Sequence, residues 1–249
     1  VAGTLNGAAI EAVNLRKRYC KVEALRGLNL KVGFGEIYGL IGPNGAGKTT
    51  TLKCIVGLLK PDAGYVKVCG KDVVRERVDA LRNVGYVPEN PVVLQNLTVE
   101  DFIKFITSLR GLTWSDVREN FEDYLRKFRL AGKRKALMKE LSRGMTQKAL
   151  VIAALLVKPK VLVMDEPMAG MDPEAQHVFK EEVRRAVEEG ATALISSHLL
   201  DMVERFCTRV GIINEGLLIM EGSIEEVKEA AAGSKSLEEV FLKVVSRGE

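Results

Sequence analysis

Residues 40–50, LIGPNGAGKTT, set Gly42 five residues ahead of Gly47-Lys48-Thr49. Four residues, Pro43 to Ala46, separate the two glycines, which is the pattern of a phosphate-binding loop. Glycines let the backbone fold tightly and turn several N–H groups toward phosphate oxygens, and the helix that follows offers its positive end to the anion. Lys48 is expected to reach the β- and γ-phosphates, and the Thr49 hydroxyl to ligate Mg²⁺. Pro43, Asn44, Gly45, Ala46 and Thr50 complete the loop. An apolar strand before it and a helical pattern after it supply the setting the chemistry requires.

Two further stretches could act on a bound triphosphate. KVLVMDEP, residues 160–167, ends an apolar strand in two carboxylates. Asp165 suits Mg²⁺, and Glu166, one residue nearer the strand's C-terminal edge, could polarise an attacking water. His198 ends the next apolar run, ALISSH, so adjacent parallel strands would bring its ring to the edge where Glu166 stands. The other histidine, His177, falls mid-helix and reads as surface. In KELSRGMTQKALVIAALL, Ser142 and Gly144 precede a long apolar helix. A serine hydroxyl at a helix N-terminus is a second anion-binding device, or else a plain cap.

These residues must be carried by a strand-rich framework with a helical interruption. Residues 10–41 read as three strands, followed by a helix from Gly47 to about Leu59 stopped by Pro61, then the short strands YVKVCG and NVGYVP. From Thr98 to Val157 the signals are helical only, opening with a Thr98–Asp101 capping box. Asp172-Pro173 reads as an N-cap and first helical residue, opening a helix to about Glu189. A hairpin about Asn214-Glu215-Gly216 and helices starting at Ser223 and Ser236 close the chain.

The 249 residues, 47% hydrophobic and 28% charged, suit a soluble protein with a sizeable core. A net charge of +4 is too mild to argue nucleic-acid binding. The four cysteines show no metal spacing and read as free thiols of a reducing cytosol. The opening VAGTLNGAA lacks a signal peptide's basic start and apolar stretch. The longest apolar run, Ala149 to Val157, is far short of the roughly 20 residues that span a bilayer.

With these motifs in this order, the chain resembles the ABC (ATP-binding cassette) ATPases over essentially its whole length. The resemblance implies an α/β fold: a RecA-like core with an antiparallel β subdomain (about 10–90 and 158–249) and an α-helical subdomain (about 91–157). Gly42 to Thr49 is similar to the Walker A loop, and Val161 to Asp165 to the Walker B strand. Glu166 resembles the catalytic glutamate and His198 the switch histidine. Tyr19 looks like the aromatic that stacks on adenine. Leu141 to Met145 resembles the signature loop, and Ala169, Gly170, Met171 and Asp172 the D-loop. The cofactors implied are ATP and Mg²⁺. A head-to-tail dimer is also implied, in which Ser142 and Gly144 of one subunit complete the site of the other.

Three departures from the family's commonest pattern stand out. Arg143 and Met145 occupy signature positions usually held by glycine and glutamine. Ala169 lacks a hydroxyl often found there, which removes one expected hydrogen bond across a dimer. Glu89 stands where a glutamine usually ligates Mg²⁺. Glutamate has the same reach and also offers an oxygen, so Glu89 reads as a metal-site and coupling residue carrying an extra negative charge; the alternative is a surface carboxylate.

SRGM with GYVPE upstream looks like the drug-, antibiotic- or sodium-exporting branch. Such a subunit is cytoplasmic, held at the inner membrane face by a separate transmembrane permease that docks on the loop from Glu89 and the helical subdomain. The rival readings are a non-transport ABC ATPase, which would carry long coiled coils or two cassettes, and a GTPase, which would carry an N/T-K-x-D motif. The sequence contains none of these features.

Overall fold

The computed structural model describes residues 7–91, 93–231 and 233–245. The very start of the chain, where a signal peptide was not expected, lies largely outside them. The chain opens with β1 (Ala8–Tyr19) and β2 (Val22–Gly33), and β3 (Ile37–Ile41) leads through the phosphate loop into α1 (Lys48–Ile55). β4 (Ala63–Val68), β5 (Lys71–Asp72), α2 (Arg77–Leu81) and β6 (Val84–Val87) follow. Next come α3 (Val99–Ser108), α4 (Trp114–Lys127) and α5 (Arg143–Leu156). β7 (Val161–Asp165), α6 (Pro173–Glu188), β8 (Thr192–Ser196), α7 (Leu200–Phe206), β9 (Arg209–Asn214) and β10 (Leu217–Ser223) return to strands, and α8 (Ile224–Ala230) and α9 (Leu237–Val245) close.

Two sheets result. One is antiparallel, ordered β2-β1-β4-β5; the other is ordered β10-β9-β3-β8-β7-β6, parallel except for the edge strand β10. Every residue of β3, β7 and β8 is buried, as befits parallel strands covered on both faces. Their C-termini all open on one edge, which is where ligands bind in such sheets.

The caps hold the helices where the sequence sets them. Thr98 accepts the Asp101 N–H, Ser142 that of Met145, and Asp172 that of Ala175, with Pro173 in the first turn. Ser223 and Glu226 cap each other's backbone, and Ser236 Oγ accepts from Glu239 N at 3.3 Å. One expected boundary is wrong. The helix after the phosphate loop ends at Ile55, well before Pro61. Gly57 turns left-handed (φ 65°), and the Gly57 and Leu58 N–H groups fold back on the Cys54 and Lys53 carbonyls. That is a Schellman stop, for which glycine suffices without proline.

Residues 98–157 are helical as expected, apart from 3₁₀ turns at Ala131–Lys133 and Met138–Glu140 and one bridge between Thr98 and Leu137. Short α2, α7 and β5 were not foreseen; none is long enough to display a period. Residues Thr146 to Leu156 of α5 are all buried, because this helix packs on β6 and α6 of the core as well as on α3 and α4. Among the described residues no helix is long and apolar enough to cross a membrane.

Candidate active site

At the C-terminal edge of the parallel sheet lies a cavity of about 460 Å³. Asn44, Gly45, Gly47, Lys48, Thr49 and Thr50 line one side, and Glu89, Asp165, Glu166 and His198 the other. The strand order explains the convergence. β3 delivers the loop, β7 the two carboxylates, β8 the histidine and β6 the glutamate, and all four strands run the same way.

The loop is built around glycine for steric reasons. A Cβ on Gly42 would stand 2.2 Å from the Ile213 carbonyl oxygen, and Gly47 holds φ at 108°. Lys48 Nζ donates to the Gly42 carbonyl at 2.6 Å and to that of Pro43 at 3.1 Å. Burial pushes the Lys48 pKa down, against the pull of Glu166, Asp165 and Glu89. Ala46 is buried beneath the loop, its N–H on the Pro43 carbonyl at 3.2 Å.

Asp165 is 1% exposed, with Oδ1 accepting from the Ser196 hydroxyl at 2.5 Å and Oδ2 without a partner. Burial, aided by Asp165, pushes the neighbouring Tyr86 phenol up to about 12. Glu166 holds a left-handed φ of 46°, and its Oε1 meets His198 Nδ1 at 2.9 Å. The expected meeting of histidine and glutamate is therefore present. Glu89 is half-buried in the cavity wall rather than on open surface, just past Pro88, whose carbonyl accepts from Gln147 Nε2 of α5 at 3.4 Å.

Other expected residues lie elsewhere. Tyr19 ends β1, 44% exposed, outside the cavity lining. Ser142 is exposed at the α5 N-terminus, also outside this lining. Gly144 is buried against the Ala169–Asp172 turn, where an added Cβ would meet the Gly170 carbonyl oxygen at 2.1 Å. Asp172 bonds to Lys148 of α5 at 2.7 Å. The α5 N-terminus and the Ala169–Asp172 turn thus pack together, outside the phosphate cavity lining of the same chain.

Comparison with known proteins agrees with this geometry. The family model described as ABC transporter matches residues 25–169. A Nod factor export ATP-binding protein I from Burkholderia orbicola is 38% identical over 93% of this chain and 76% of its own length. This chain belongs to the ABC transporter ATP-binding family. It is an ATPase of the cassette type. A linearmycin resistance ATP-binding protein of Bacillus subtilis is 34% identical over 86% of this chain and 69% of its own. A solved ATP-binding subunit of an ABC transporter superposes with a TM-score of 0.90 at 30% identity, covering 95% of this chain and 99% of that one.

The cassette's residues fit a magnesium ion brought with its nucleotide. Among the described residues no group of three or more His, Cys, Asp or Glu could cage a metal. Mg²⁺ does not need one, since it binds through one or two carboxylates, waters and substrate phosphates. Asp165, with one oxygen unpartnered, and the Thr49 hydroxyl, both in the cavity lining, are the groups that would supply that donor set. One contributor escaped the sequence reading: Ser196. Strand adjacency brings the ends of β7 and β8 together, but the register that sets Ser196 opposite Asp165 has no signal in the sequence.

Proposed function

We propose that this ABC ATPase is the engine of an exporter: ATP draws two cassettes together head to tail, and hydrolysis releases them, moving a separate membrane permease. The observation that carries the reading is the exposed α5 N-terminus. It is a capped, anion-ready device outside the phosphate cavity of its own chain. A second copy would supply the nucleotide for it, through Ser142 and the Gly144 backbone. The exposed Tyr19 then serves as the platform for adenine.

In hydrolysis Glu166 takes a proton from the attacking water while the water oxygen bonds to the γ-phosphorus and the bond to the β–γ bridging oxygen breaks. His198 holds the Glu166 carboxylate in place. Lys48 neutralises charge on the transferring group, and Thr49, Asp165 and Glu89 are the residues that would hold Mg²⁺. Bound there, Mg²⁺ supplies further charge neutralisation on the phosphate oxygens.

The permease side is supported by an apolar patch. Leu94 (47% exposed) and Phe105 (42%) stand open on a cavity of about 360 Å³ formed with Gln95, Asn96 and Leu97, and exposed Leu109 (67%) caps α3 one turn past Phe105. This patch follows Glu89 in the chain, so a permease docked there sits next to the metal residues. Such docking holds the cassette peripherally at the cytoplasmic face. Outward transport rests on the likeness to the Burkholderia Nod factor export protein.

Glu166→Gln keeps the side chain's shape and removes the base. The variant is expected to bind ATP, to lose nearly all turnover, and to run as a dimer in chromatography with saturating ATP. A monomer under those conditions would count decisively against the closed pair. Co-purification of the chain with a polytopic protein from detergent-solubilised membranes tests the permease.

A further inference from the structure

Ser196 is fully buried at the end of β8, directly across the β7–β8 ladder from Asp165. Its single hydroxyl makes two bonds. It donates to Asp165 Oδ1 at 2.5 Å and accepts the Glu166 N–H at 3.2 Å. We infer that Ser196 is the positioning residue of the catalytic strand end: one hydroxyl orients both the metal-side carboxylate and the backbone of the general base. This rests on the nucleotide reading of the cavity and adds a residue to it.

An aspartate's terminal torsion is broad and roughly two-fold, so a free carboxylate exchanges its oxygens or tilts without penalty. A donor on Oδ1 removes that freedom. It leaves Oδ2, which has no partner in the protein, as the one oxygen turned to other use. Buried polar atoms seldom remain unpaired, and a hydrated Mg²⁺ is the partner this site lacks. Outer hydrogen bonds of this kind fix metal-binding carboxylates and tune their affinity.

The second bond acts on Glu166. A non-glycine residue at φ 46° is strained and persists only where its surroundings hold it. The Glu166 N–H is shared between the Ser196 carbonyl and hydroxyl oxygens, both at 3.2 Å. That clamp turns the Glu166 side chain toward His198, 2.9 Å away. A buried serine serving packing alone needs no bond to either catalytic residue.

The test uses threonine and valine, which have nearly the same shape and differ in the hydroxyl. Ser196→Thr and Ser196→Val, with Ser196→Ala beside them, are made in the Glu166→Gln background so that ATP is not consumed. Mn²⁺ binding is titrated by electron paramagnetic resonance with saturating ATP, and ATP binding by calorimetry in EDTA. The valine and alanine variants are expected to bind Mn²⁺ about tenfold more weakly, the lower end for lost outer-shell bonds. Threonine should stay within about threefold of the parent. Metal-free ATP affinity should be unchanged across the set. Equal Mn²⁺ affinity for the threonine and valine variants overturns the inference, whatever their melting temperatures. A parent that binds no ATP sinks the nucleotide site itself, and the inference with it.

Discussion

At the scale of single residues, Glu89 is the substitution with the clearest consequence. It lies in the cavity wall, where its charge reaches Lys48, and adds a third carboxylate to Asp165 and Glu166. Glu89→Gln keeps reach and an oxygen but removes a charge. In a water-filled site one charge about 4 Å from a divalent ion is worth about 2 kcal/mol, or about thirtyfold. The Mg²⁺ concentration giving half-maximal ATPase should therefore rise about thirtyfold, and stimulation by the permease should change with it. A variant that left both untouched would return Glu89 to the role of a wall carboxylate.

At the scale of elements, the α5 N-terminus and the turn before α6 behave as one piece. Gly144 lies against Gly170, and Lys148 bonds to Asp172, whose carboxyl it holds down at about 2. Gly144→Ala sets two effects against each other. Alanine in a helix gains about 1 kcal/mol over glycine, whereas overpacking costs about 1–3 kcal/mol. Here the obstacle is a backbone carbonyl, which cannot rotate away as a side chain would, so the cost wins. Urea unfolding should show a net loss of about 1 kcal/mol, and ATP-driven dimerisation of the Glu166→Gln protein should weaken. An alanine variant as stable and as dimeric as its parent would show that the contact yields easily.

Across the whole molecule, charge pairs tie the helical layer together and fasten it to the core. Lys127 of α4 reaches Glu182 of α6 at 2.6 Å, and Arg129 pairs with Glu174. Within the layer, the 3%-exposed Glu100 accepts from Arg134 at 2.6 Å, Lys104 at 2.7 Å and Lys135 at 2.8 Å. Those bonds, Arg134's first, hold its pKa far below the ordinary glutamate value. Because the folded value is depressed, the stabilisation is complete above the unfolded pKa of about 4.3 and is lost as pH falls toward the folded one. Glu100→Gln should cost about 2 kcal/mol at pH 7, less than a sealed pair because the lysines reach water. Its urea midpoint should also fall less steeply than the parent's as the medium is acidified below about pH 4.3. Parallel acid profiles for the two proteins would place the acid sensitivity elsewhere.

Much of the site was legible in the chain. Gly42 to Thr49, Asp165-Glu166 and His198 are spacing and strand-end signals, set by near neighbours along the backbone. The caps at Thr98, Ser142, Asp172 and Ser223 are equally local, and the structure keeps all four. The glycine stop at Gly57 was local too, and was missed because Pro61 drew the boundary. Local order along the chain thus carries the inventory of phosphate, acid and base groups, the elements that hold them, and the meeting of His198 with Glu166 at one sheet edge. The remaining contacts are fixed by the folded packing. β3, β7 and β8 are buried on both faces, so they lack the alternation from which a register could be read. The pairing of Asp165 with Ser196, and of Gly144 with Gly170, depends on strand register and helix packing between segments far apart in the chain.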